Sequence, residues 1–266
     1  MDSTQVESQS ASPEPKTSFS IFRTLKLLFI LLFIMLLAAV AYETQTSKLQ
    51  SEHISNYART LTYEVKPGPS DSIVFPVQGP FDERLGYVRL PSIQTRLLDR
   101  GYEITQQAQF SPSLLSYAKQ SLYPPYTEKV QAGLTLQDCN AQPFYRFSYP
   151  YHYYASFEQV PPLVVQSLLF IENKDLLSTE NPLANPAVDW PRFAMAAFTQ
   201  VTKAMGLPGQ SAGGSTLATQ VEKYRHSADG LTDSPSEKIR QMISASVRAY
   251  RHGPDTLEAR KLVVWA

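Results

Sequence analysis

An uninterrupted apolar run near the N-terminus constrains the fold more than any other feature of this chain. Residues Leu27–Tyr42, LLFILLFIMLLAAVAY, contain no charge, glycine or proline. Together with the apolar residues before them, and a Lys26 whose ammonium can reach the interface, they supply the roughly 20 residues of a bilayer-spanning helix. Basic residues precede the run and Glu43 follows it directly. The positive-inside rule therefore predicts a cytoplasmic N-terminus and an extracytoplasmic main domain.

A cleaved signal peptide is the alternative interpretation of the same run. The tripeptide Ala39–Ala41, AVA, fits the small-x-small pattern of a cleavage site. The region before the run is long, however, and the run is longer than most signal-peptide cores. We therefore favour a retained single-pass anchor, and both interpretations place the bulk of the chain outside the cytoplasm.

Charge and cysteine content argue against several classes of function. The chain has 24 basic and 24 acidic side chains, so bulk electrostatics give no support to a nucleic-acid partner. Its single cysteine, Cys139, rules out an intramolecular disulfide. The four histidines are scattered and form no His-Glu-x-x-His pair, so we predict no protein-built metal site.

Changes of composition divide the chain into segments. The N-terminal tail is rich in serine and proline and is predicted to be disordered. After the anchor, a polar stretch is predicted to continue the helix as a stalk. β-Branched residues mixed with breakers then predict short strands around a helix that carries Ile93 and Leu97. The predicted boundaries are a tail at 1–20, a transmembrane anchor at 21–42, a stalk at 43–62, a small α+β segment at 63–154 and a helical domain at 155–266.

Helical patterns dominate the last third of the sequence. PPLVVQSLLFIENKDLL, which starts at Pro161, opens with prolines and is apolar on nearly all sides, which predicts a buried helix. Two further helices are expected to begin at Asp189 and at Ser234 or Ser236. The last helix, TLEARKLVVWA, ends on apolar Ala266 without a glycine, proline or polar stop. We therefore expect these residues to be the N-terminal portion of a longer polypeptide.

The stretch AGGSTLATQVEK, residues 212–223, combines two glycines, two hydroxyls and a helical pattern. Gly213 and Gly214 let a ligand approach the backbone closely, and Ser215 or Thr216 can cap the helix that follows. The first amides of such a helix have no internal partner and carry the positive end of its dipole, which suits a phosphate.

The helix after the glycines adds three polar side chains on one face. Thr216, Gln220 and Lys223 follow helical spacing and offer a hydroxyl, an amide and an ammonium group to an anion. The stretch is not a Walker loop, because no Gly-Lys-Ser/Thr ends it. The alternative is a capped, solvated helix that holds no ligand.

Glu172 is the candidate general base. It directly follows the apolar residues 168–171, so its carboxylate is predicted to lie at the rim of an apolar wall, where partial desolvation makes a better base. The alternative is a glutamate on a helix surface. The Ser-x-x-Lys pattern of acyl-serine enzymes also occurs, at Ser116–Lys119, but no Lys-Thr-Gly triplet accompanies it, and we attribute it to chance.

Four fragments together resemble the peptidoglycan glycosyltransferase domain, glycosyltransferase family 51: FIENKDLL, NPAVDW, GGSTLATQVEK and EKIRQMISA. The motifs of that family are Glu-Asp-x-x-Phe with His-x-Gly, then Gly-Gly-Ser-Thr-Ile-Thr-Gln-Gln-x-x-Lys, then Arg-Lys-x-x-Glu-x-x-x-Ala. The second motif is the specific one. The residues that match it in place are Gly213, Gly214, Ser215, Thr216, Gln220 and Lys223. The resemblance covers residues 157–266 and does not explain residues 63–154.

The resemblance implies a mainly α, lysozyme-like glycosyltransferase domain, here incomplete, that polymerises lipid II outside the bacterial cytoplasmic membrane. The 4-hydroxyl of the acceptor sugar attacks the anomeric carbon of a lipid-pyrophosphate donor, with inversion. Glu172 falls on the general base of the first motif. Gln220, Lys223 and the helix start at Ser215 and Thr216 fall where the family holds the donor phosphates.

The same resemblance implies partners and cofactors. The partners are lipid II, the growing glycan strand, the cytoplasmic membrane and proteins of cell-wall synthesis. No cofactor is required, although a divalent cation, Mg²⁺ or Mn²⁺, commonly assists. The combination with a membrane anchor fits the front part of a penicillin-binding protein or a monofunctional transglycosylase.

Departures from the first motif lie around the candidate base. The aspartate that follows the catalytic glutamate is Asn173, and the phenylalanine position holds Leu176. The His-x-Gly position is occupied by Asn185–Ala187.

Departures from the third motif concern charge. Lys238 and Ala245 match, and Lys238 is assigned to the phosphate site. The arginine position holds Glu237 and the second carboxylate is replaced by Gln241, which keeps hydrogen bonding and loses the charge. Glu237 lies one turn away on the same helical face and is a candidate substitute; the alternative is a solvated helix glutamate. Loss of one charged catalytic group typically costs two to four orders of magnitude in rate.

Three hypotheses of function follow. The first is a membrane-anchored peptidoglycan glycosyltransferase of divergent sequence. The second is a catalytically impaired module that binds a lipid-linked cell-wall precursor or a cell-wall synthesis partner. The third is an anchored extracytoplasmic domain in which the Gly-Gly-Ser-Thr stretch is only a helix cap.

Overall fold

The computed structural model describes residues 17–77, 79–126, 133–148, 154–206 and 214–266. The chain divides into two compact units, one that ends at Gln45 and one that begins at Thr46. The finer domain boundaries predicted from composition stay predictions.

The first unit is helical throughout its described part. The helix α1 spans Thr17–Thr46. Its stretch Phe22–Thr46 has a mean hydropathy of 2.7 over its most apolar window and is not buried. By length and composition this helix can cross a bilayer. Its orientation, and whether it is retained or cleaved, stay predictions.

The second unit is built mainly of helices, with two small strand pairs. The predicted fold class, mainly α with an apolar N-terminal helix and a small α+β part, is confirmed. In chain order the helices are α2 Lys48–Thr60, α3 Pro80–Arg84, α4 Leu90–Leu98, α5 Pro112–Lys119, α6 Pro162–Glu172, α7 Trp190–Ala204, α8 Leu217–His226, α9 Pro235–Ala249 and α10 Leu257–Trp265, and the strands are β1 Tyr63–Pro67, β2 Gln106–Phe110, β3 Gly133–Gln137 and β4 Pro143–Ser148. Short 3₁₀ turns lie at Tyr87–Arg89, Phe157–Gln159 and Ala228–Gly230.

The strands form two separate antiparallel pairs. β1 pairs with β2, with Tyr63 opposite Phe110, and β3 pairs with β4, with Leu134 opposite Phe147. The predicted helix–strand unit around residues 90–110 is present as α4 and β2. Gly101, with φ of 81°, ends the α4 region in the left-handed conformation that glycine adopts at low cost.

One apolar cluster joins the segment before residue 126 to the helical domain. The residues predicted as a stalk form α2, which packs on α9. The buried members of the cluster are Ala58, Leu61, Phe110, Leu114, Tyr117 and Val247. Because Val247 belongs to α9, the α+β segment and the helical domain share this core. A smaller cluster of Ala187, Ala218 and Ala245 lies between α8, α9 and the loop before α7.

The expectation that α6 is buried was wrong. Within Pro162–Glu172, all of which is described, no residue is buried, and Phe170 and Ile171 are 85% and 74% exposed. A helix that is apolar on all sides is stabilised by burial, but the pattern does not identify what covers the helix. α7 likewise exposes Phe198.

Charged and hydroxyl side chains fix the loop between α6 and α7. Arg260 on α10 is 2% exposed and donates to the carbonyl oxygens of Leu176, Ser178 and Asn181 at 2.8–3.0 Å. Burial lowers the pKa of the Arg260 guanidinium below its ordinary value. Thr256 donates to the carbonyl of Ala184 at 2.7 Å. These bonds hold the loop that carries the chain from Glu172 to α7.

Candidate functional site

The start of α8 is capped by Thr216. Its hydroxyl accepts from the Thr219 amide at 3.3 Å, and the Thr219 hydroxyl accepts from the Thr216 amide at 2.9 Å. Of the two predicted caps, Thr216 caps the helix, and the Ser215 hydroxyl accepts a hydrogen bond from Lys238 instead. The remaining amides of the first turn still carry the positive end of the helix dipole.

Lys238 lies against this helix start. Its Nζ donates to the Ser215 hydroxyl at 2.5 Å and lies 3.5 Å from the Thr219 hydroxyl. Burial, and secondarily the positive charge of Lys223, lower the pKa of the Lys238 ammonium below its ordinary value. The structure therefore places Lys238 near both Ser215 and Lys223, and the phosphate-binding role assigned to them stays a prediction. Lys223 lies in the last turn of α8 and Lys238 beside its start, and two cations that repel each other are stabilised when an anion binds between them.

Lys223 has one aromatic contact. Its Nζ lies 4.5 Å from the centre of the Tyr224 ring, within range of a cation–π interaction. The side chain is partly exposed. It can therefore turn toward a ligand without leaving a buried charge behind.

Glu172 and Gln220 meet directly. Nε2 of Gln220 donates to Oε2 of Glu172 at 3.0 Å, although 48 residues separate them in the chain. Glu172 is the last residue of α6 and is partly exposed, and its assignment as the base stays a prediction. Gln220, predicted to face phosphate, thus holds the candidate base in this structure.

Arg192 contacts Glu172, and the sequence analysis did not predict this contact. Its Nη1 donates to the main-chain oxygen of Glu172 at 2.9 Å, and its Nε lies 3.3 Å from Oδ2 of Asp189. The spacing of Asp189 and Arg192, three residues apart at a helix start, could have suggested their ion pair. The contact across 20 residues to Glu172 has no sequence signal.

Gln241 lies inside the fold. It is 0% exposed, and its Nε2 donates to the hydroxyls of Ser227 and Thr232, each at 2.9 Å. Within the described part of the chain, no hydrogen bond links Gln241 to Glu172 or Lys238. Its assignment to catalysis stays a prediction.

Glu237 is held by internal donors. Its carboxylate accepts from Ser227 at 2.6 Å and, at short range, from the Tyr123 hydroxyl and the Arg240 guanidinium. Burial acts to raise the pKa of Glu237, but the hydrogen bonds from Ser227 and Tyr123 and the charge of Arg240 bring it below the ordinary value. Burial and the bond to Glu237 raise the pKa of the Tyr123 hydroxyl.

The remaining motif positions have different surroundings. Gly213 lies outside the described residues. Gly214 has an ordinary backbone, and a Cβ added there would lie 3.6 Å from the Ala196 side chain. Asn185, at the His-x-Gly position, is buried. Its side-chain amide donates to the Ser246 hydroxyl at 3.0 Å, a bond within the interior of the fold.

A known protein family matches the part of the chain that contains these residues. Residues 140–253 match the family model described as Transglycosylase. The resemblance to the peptidoglycan glycosyltransferase domain is thereby confirmed for this part of the chain. The matched range contains Glu172, Gln220, Lys223 and Lys238. It begins before residue 155, the predicted start of the helical domain. No curated protein and no solved structure matches the chain significantly, so the lysozyme-like comparison stays a prediction.

The site supports glycosyl transfer in general terms. A carboxylate, a helix N-terminus and two ammonium groups are the groups needed to accept a proton and to stabilise a phosphate leaving group. Among the residues that the structure describes, no three His, Cys, Asp or Glu side chains gather as metal ligands.

Proposed function

We propose that this protein is a membrane-anchored peptidoglycan glycosyltransferase that polymerises lipid II by inverting transfer from a lipid-pyrophosphate donor. The Gln220–Glu172 hydrogen bond is the observation that carries the proposal. It sets a carboxylate against α8, whose start presents amide and hydroxyl donors next to the Lys238 ammonium of α9. The Transglycosylase match over these residues supports the reaction class.

Glu172 is proposed as the general base. It accepts the proton of the acceptor 4-hydroxyl as that oxygen forms a bond to the anomeric carbon of the donor. The bond from the anomeric carbon to the pyrophosphate breaks on the opposite face, and the lipid pyrophosphate leaves. The amide of Gln220 orients the carboxylate, which keeps its second oxygen available for the acceptor.

The start of α8 is proposed to hold the leaving pyrophosphate. Lys223 and Lys238 supply positive charge, and the hydroxyl of Ser215 and the first amides of α8 supply hydrogen-bond donors. Negative charge on the bridging oxygen grows in the transition state, so these groups bind the transition state more tightly than the substrate. A divalent cation, Mg²⁺ or Mn²⁺, would add charge at the same phosphates.

Polymerisation of lipid II by the purified chain in detergent micelles tests the proposal. The wild type is expected to form glycan strands, and Glu172→Gln to lower the rate by at least about 100-fold, the usual effect of removing a general base. Glu180→Gln, in the exposed loop after α6, serves as the control with an unchanged rate. Equal polymerisation by wild type and Glu172→Gln would remove Glu172 from the mechanism.

A binding module without turnover is the second candidate. The observation that favours it is Gln241, an uncharged and fully buried side chain where the family motif has a carboxylate. This candidate predicts saturable binding of lipid II to the wild type, weakened by Lys238→Met, with no polymer formed. Glycan strands made by the purified protein would exclude it.

The proposed location is the bacterial cytoplasmic membrane, with α1 as a single-pass anchor and the second unit outside. Its support is the apolar stretch Phe22–Thr46 and the charge asymmetry around it. The proposed partners are lipid II, the growing glycan strand and proteins of cell-wall synthesis. Protease protection in spheroplasts, with tags at either end, tests the orientation.

A further inference from the structure

Arg192 joins the end of one helix to the start of the next. Nη1 donates to the main-chain oxygen of Glu172, the last residue of α6, at 2.9 Å. Nε pairs with Oδ2 of Asp189 at 3.3 Å, and the Arg192 amide donates to Oδ1 of the same carboxylate at 3.1 Å. One side chain therefore connects the α6 C-terminus to the residue that caps α7.

Arg192 bridges two helix ends, where main-chain groups have no hydrogen-bond partner within their own helix. The last carbonyl groups of a helix have no internal donor, and a cation there also complements the negative end of the dipole. After Glu172 the chain leaves the helix at once, since Asn173 is extended with φ of −162° and ψ of 98°. The position of Glu172 at this break therefore depends on contacts beyond α6.

Glu172 is held at two points by two other helices. Gln220 of α8 holds the carboxylate and Arg192 of α7 holds the main chain. None of the four fragments that resemble the glycosyltransferase motifs contains Arg192. We propose that Arg192 is a positioning residue for Glu172, an inference that rests on the proposed function of this site.

The chemistry of the side chain suits this role. A guanidinium group presents several donors in one plane, so it can bond a carbonyl and a carboxylate together, which an ammonium group on a flexible stem does less well. The Arg192 side chain is 44% exposed, so small solutes can reach the space it occupies. An alanine at this position is therefore open to chemical rescue by guanidinium ions.

The first test is kinetic and uses the full chain in detergent micelles with lipid II. Arg192→Ala is expected to lower kcat roughly 10- to 100-fold, the scale of a small misplacement of a catalytic group, with KM changed less than about twofold. Arg192→Lys and added guanidinium should each restore part of kcat. Lys203→Ala, which removes an exposed cation from the same helix, should leave both constants unchanged.

Two kinetic outcomes contradict the proposal. A raised KM with an unchanged kcat would mean that Arg192 binds substrate directly. An unchanged kcat per folded molecule, with only a lower melting temperature, would mean that the contact is purely structural.

The second test does not depend on turnover. Hydrogen exchange of the peptide that spans residues 168–176 should be faster in Arg192→Ala than in wild type and Lys203→Ala, while exchange in α9 stays the same. If the wild type forms no glycan strands, the proposed function fails. The exchange comparison still decides whether Arg192 holds the main chain at Glu172. Equal protection of this peptide in all three proteins would overturn the inference.

Discussion

Nε2 of Gln220 lies 3.0 Å from Oε2 of Glu172, so α8 holds the carboxylate that ends α6. This bond connects the fragments FIENKDLL and GGSTLATQVEK, which the chain separates by the whole of α7 and its loops. Gln220 thus links the proposed base at the end of α6 to the helix whose start is the proposed phosphate site, and displacing either one is expected to disturb the other.

Removing the amide of Gln220 should therefore slow catalysis. Gln220→Leu deletes the donor at similar size, and a hydrogen bond to a charged group is worth about 1.5–3 kcal/mol, so kcat should fall roughly 10- to 100-fold. The assay is strand formation from lipid II at saturating substrate. Gln120→Leu, which removes an exposed amide–carbonyl bond of 3.2 Å, is the matched control and should behave as wild type. Full activity in Gln220→Leu would show the contact to be incidental.

Local pattern predicted most of the helices and little of what surrounds them. Capping serines, prolines at helix starts and 3.6-residue spacing act within one element, so the sequence alone indicates helices such as α9. The partner of an apolar helix is a tertiary property, which is why the predicted burial of α6 was wrong. The shared core of α2, α5 and α9 was missed for the same reason.

The candidate site was predictable where one element carries it. Thr216 caps α8 and Lys223 lies in its last turn, and helical spacing alone places them on the same face. The contacts from Arg192 to Glu172 and from Lys238 to Ser215 cross between elements, and only the resemblance to a family brought Lys238 into the site. Arg192 lies outside the matched fragments and emerged only from the structure.

Anion binding at the start of α8 should weaken as the pH rises. Burial and the charge of Lys223 lower the pKa of Lys238, so this ammonium loses its proton at a lower pH than an ordinary lysine. Because only the protonated form attracts an anion, affinity for inorganic pyrophosphate should fall through that lowered pKa. Calorimetric titrations at a series of pH values measure the effect.

Two lysine variants test that prediction. Lys223→Met removes the neighbouring charge, so the fall in pyrophosphate affinity should move to higher pH while affinity at neutral pH drops. Lys238→Met should abolish this part of the pH dependence. An unchanged pH profile in Lys238→Met would assign the titration to another group.

Two described glycines near α8 should differ in their tolerance of a methyl group. A Cβ at Gly79 would lie 2.0 Å from the carbonyl oxygen of Arg225, so the backbone must move, and Gly79→Ala should lower the free energy of unfolding by about 3 kcal/mol. A Cβ at Gly214 would make only an ordinary contact of 3.6 Å, and Gly214→Ala should change stability by less than about 0.5 kcal/mol. Urea denaturation measures both. Equal destabilisation by the two variants would contradict the prediction.

Glu237 should contribute stability that is lost in acid. Its hydrogen bonds and the charge of Arg240 hold the pKa of the carboxyl below the ordinary value of 4.5. A group of this kind stabilises the fold above its unfolded pKa, and the contribution disappears as the pH falls through the lower, folded value. Glu237→Gln should therefore cost about 1–2 kcal/mol at neutral pH, with a difference from wild type that narrows in acid. Urea denaturation at neutral and acidic pH measures this difference.

The same variant decides whether Glu237 replaces the missing carboxylate of the third motif. Its bonds to Ser227, Tyr123 and Arg240 point inward, so Glu237→Gln is expected to keep its turnover rate per folded molecule while losing stability. Glu258→Gln, at an exposed ion pair with Lys261, is the control that should change neither quantity by much. If Glu237→Gln remains folded but polymerises lipid II about 100-fold more slowly, Glu237 is instead part of the reaction, since that is the scale of a charged catalytic group.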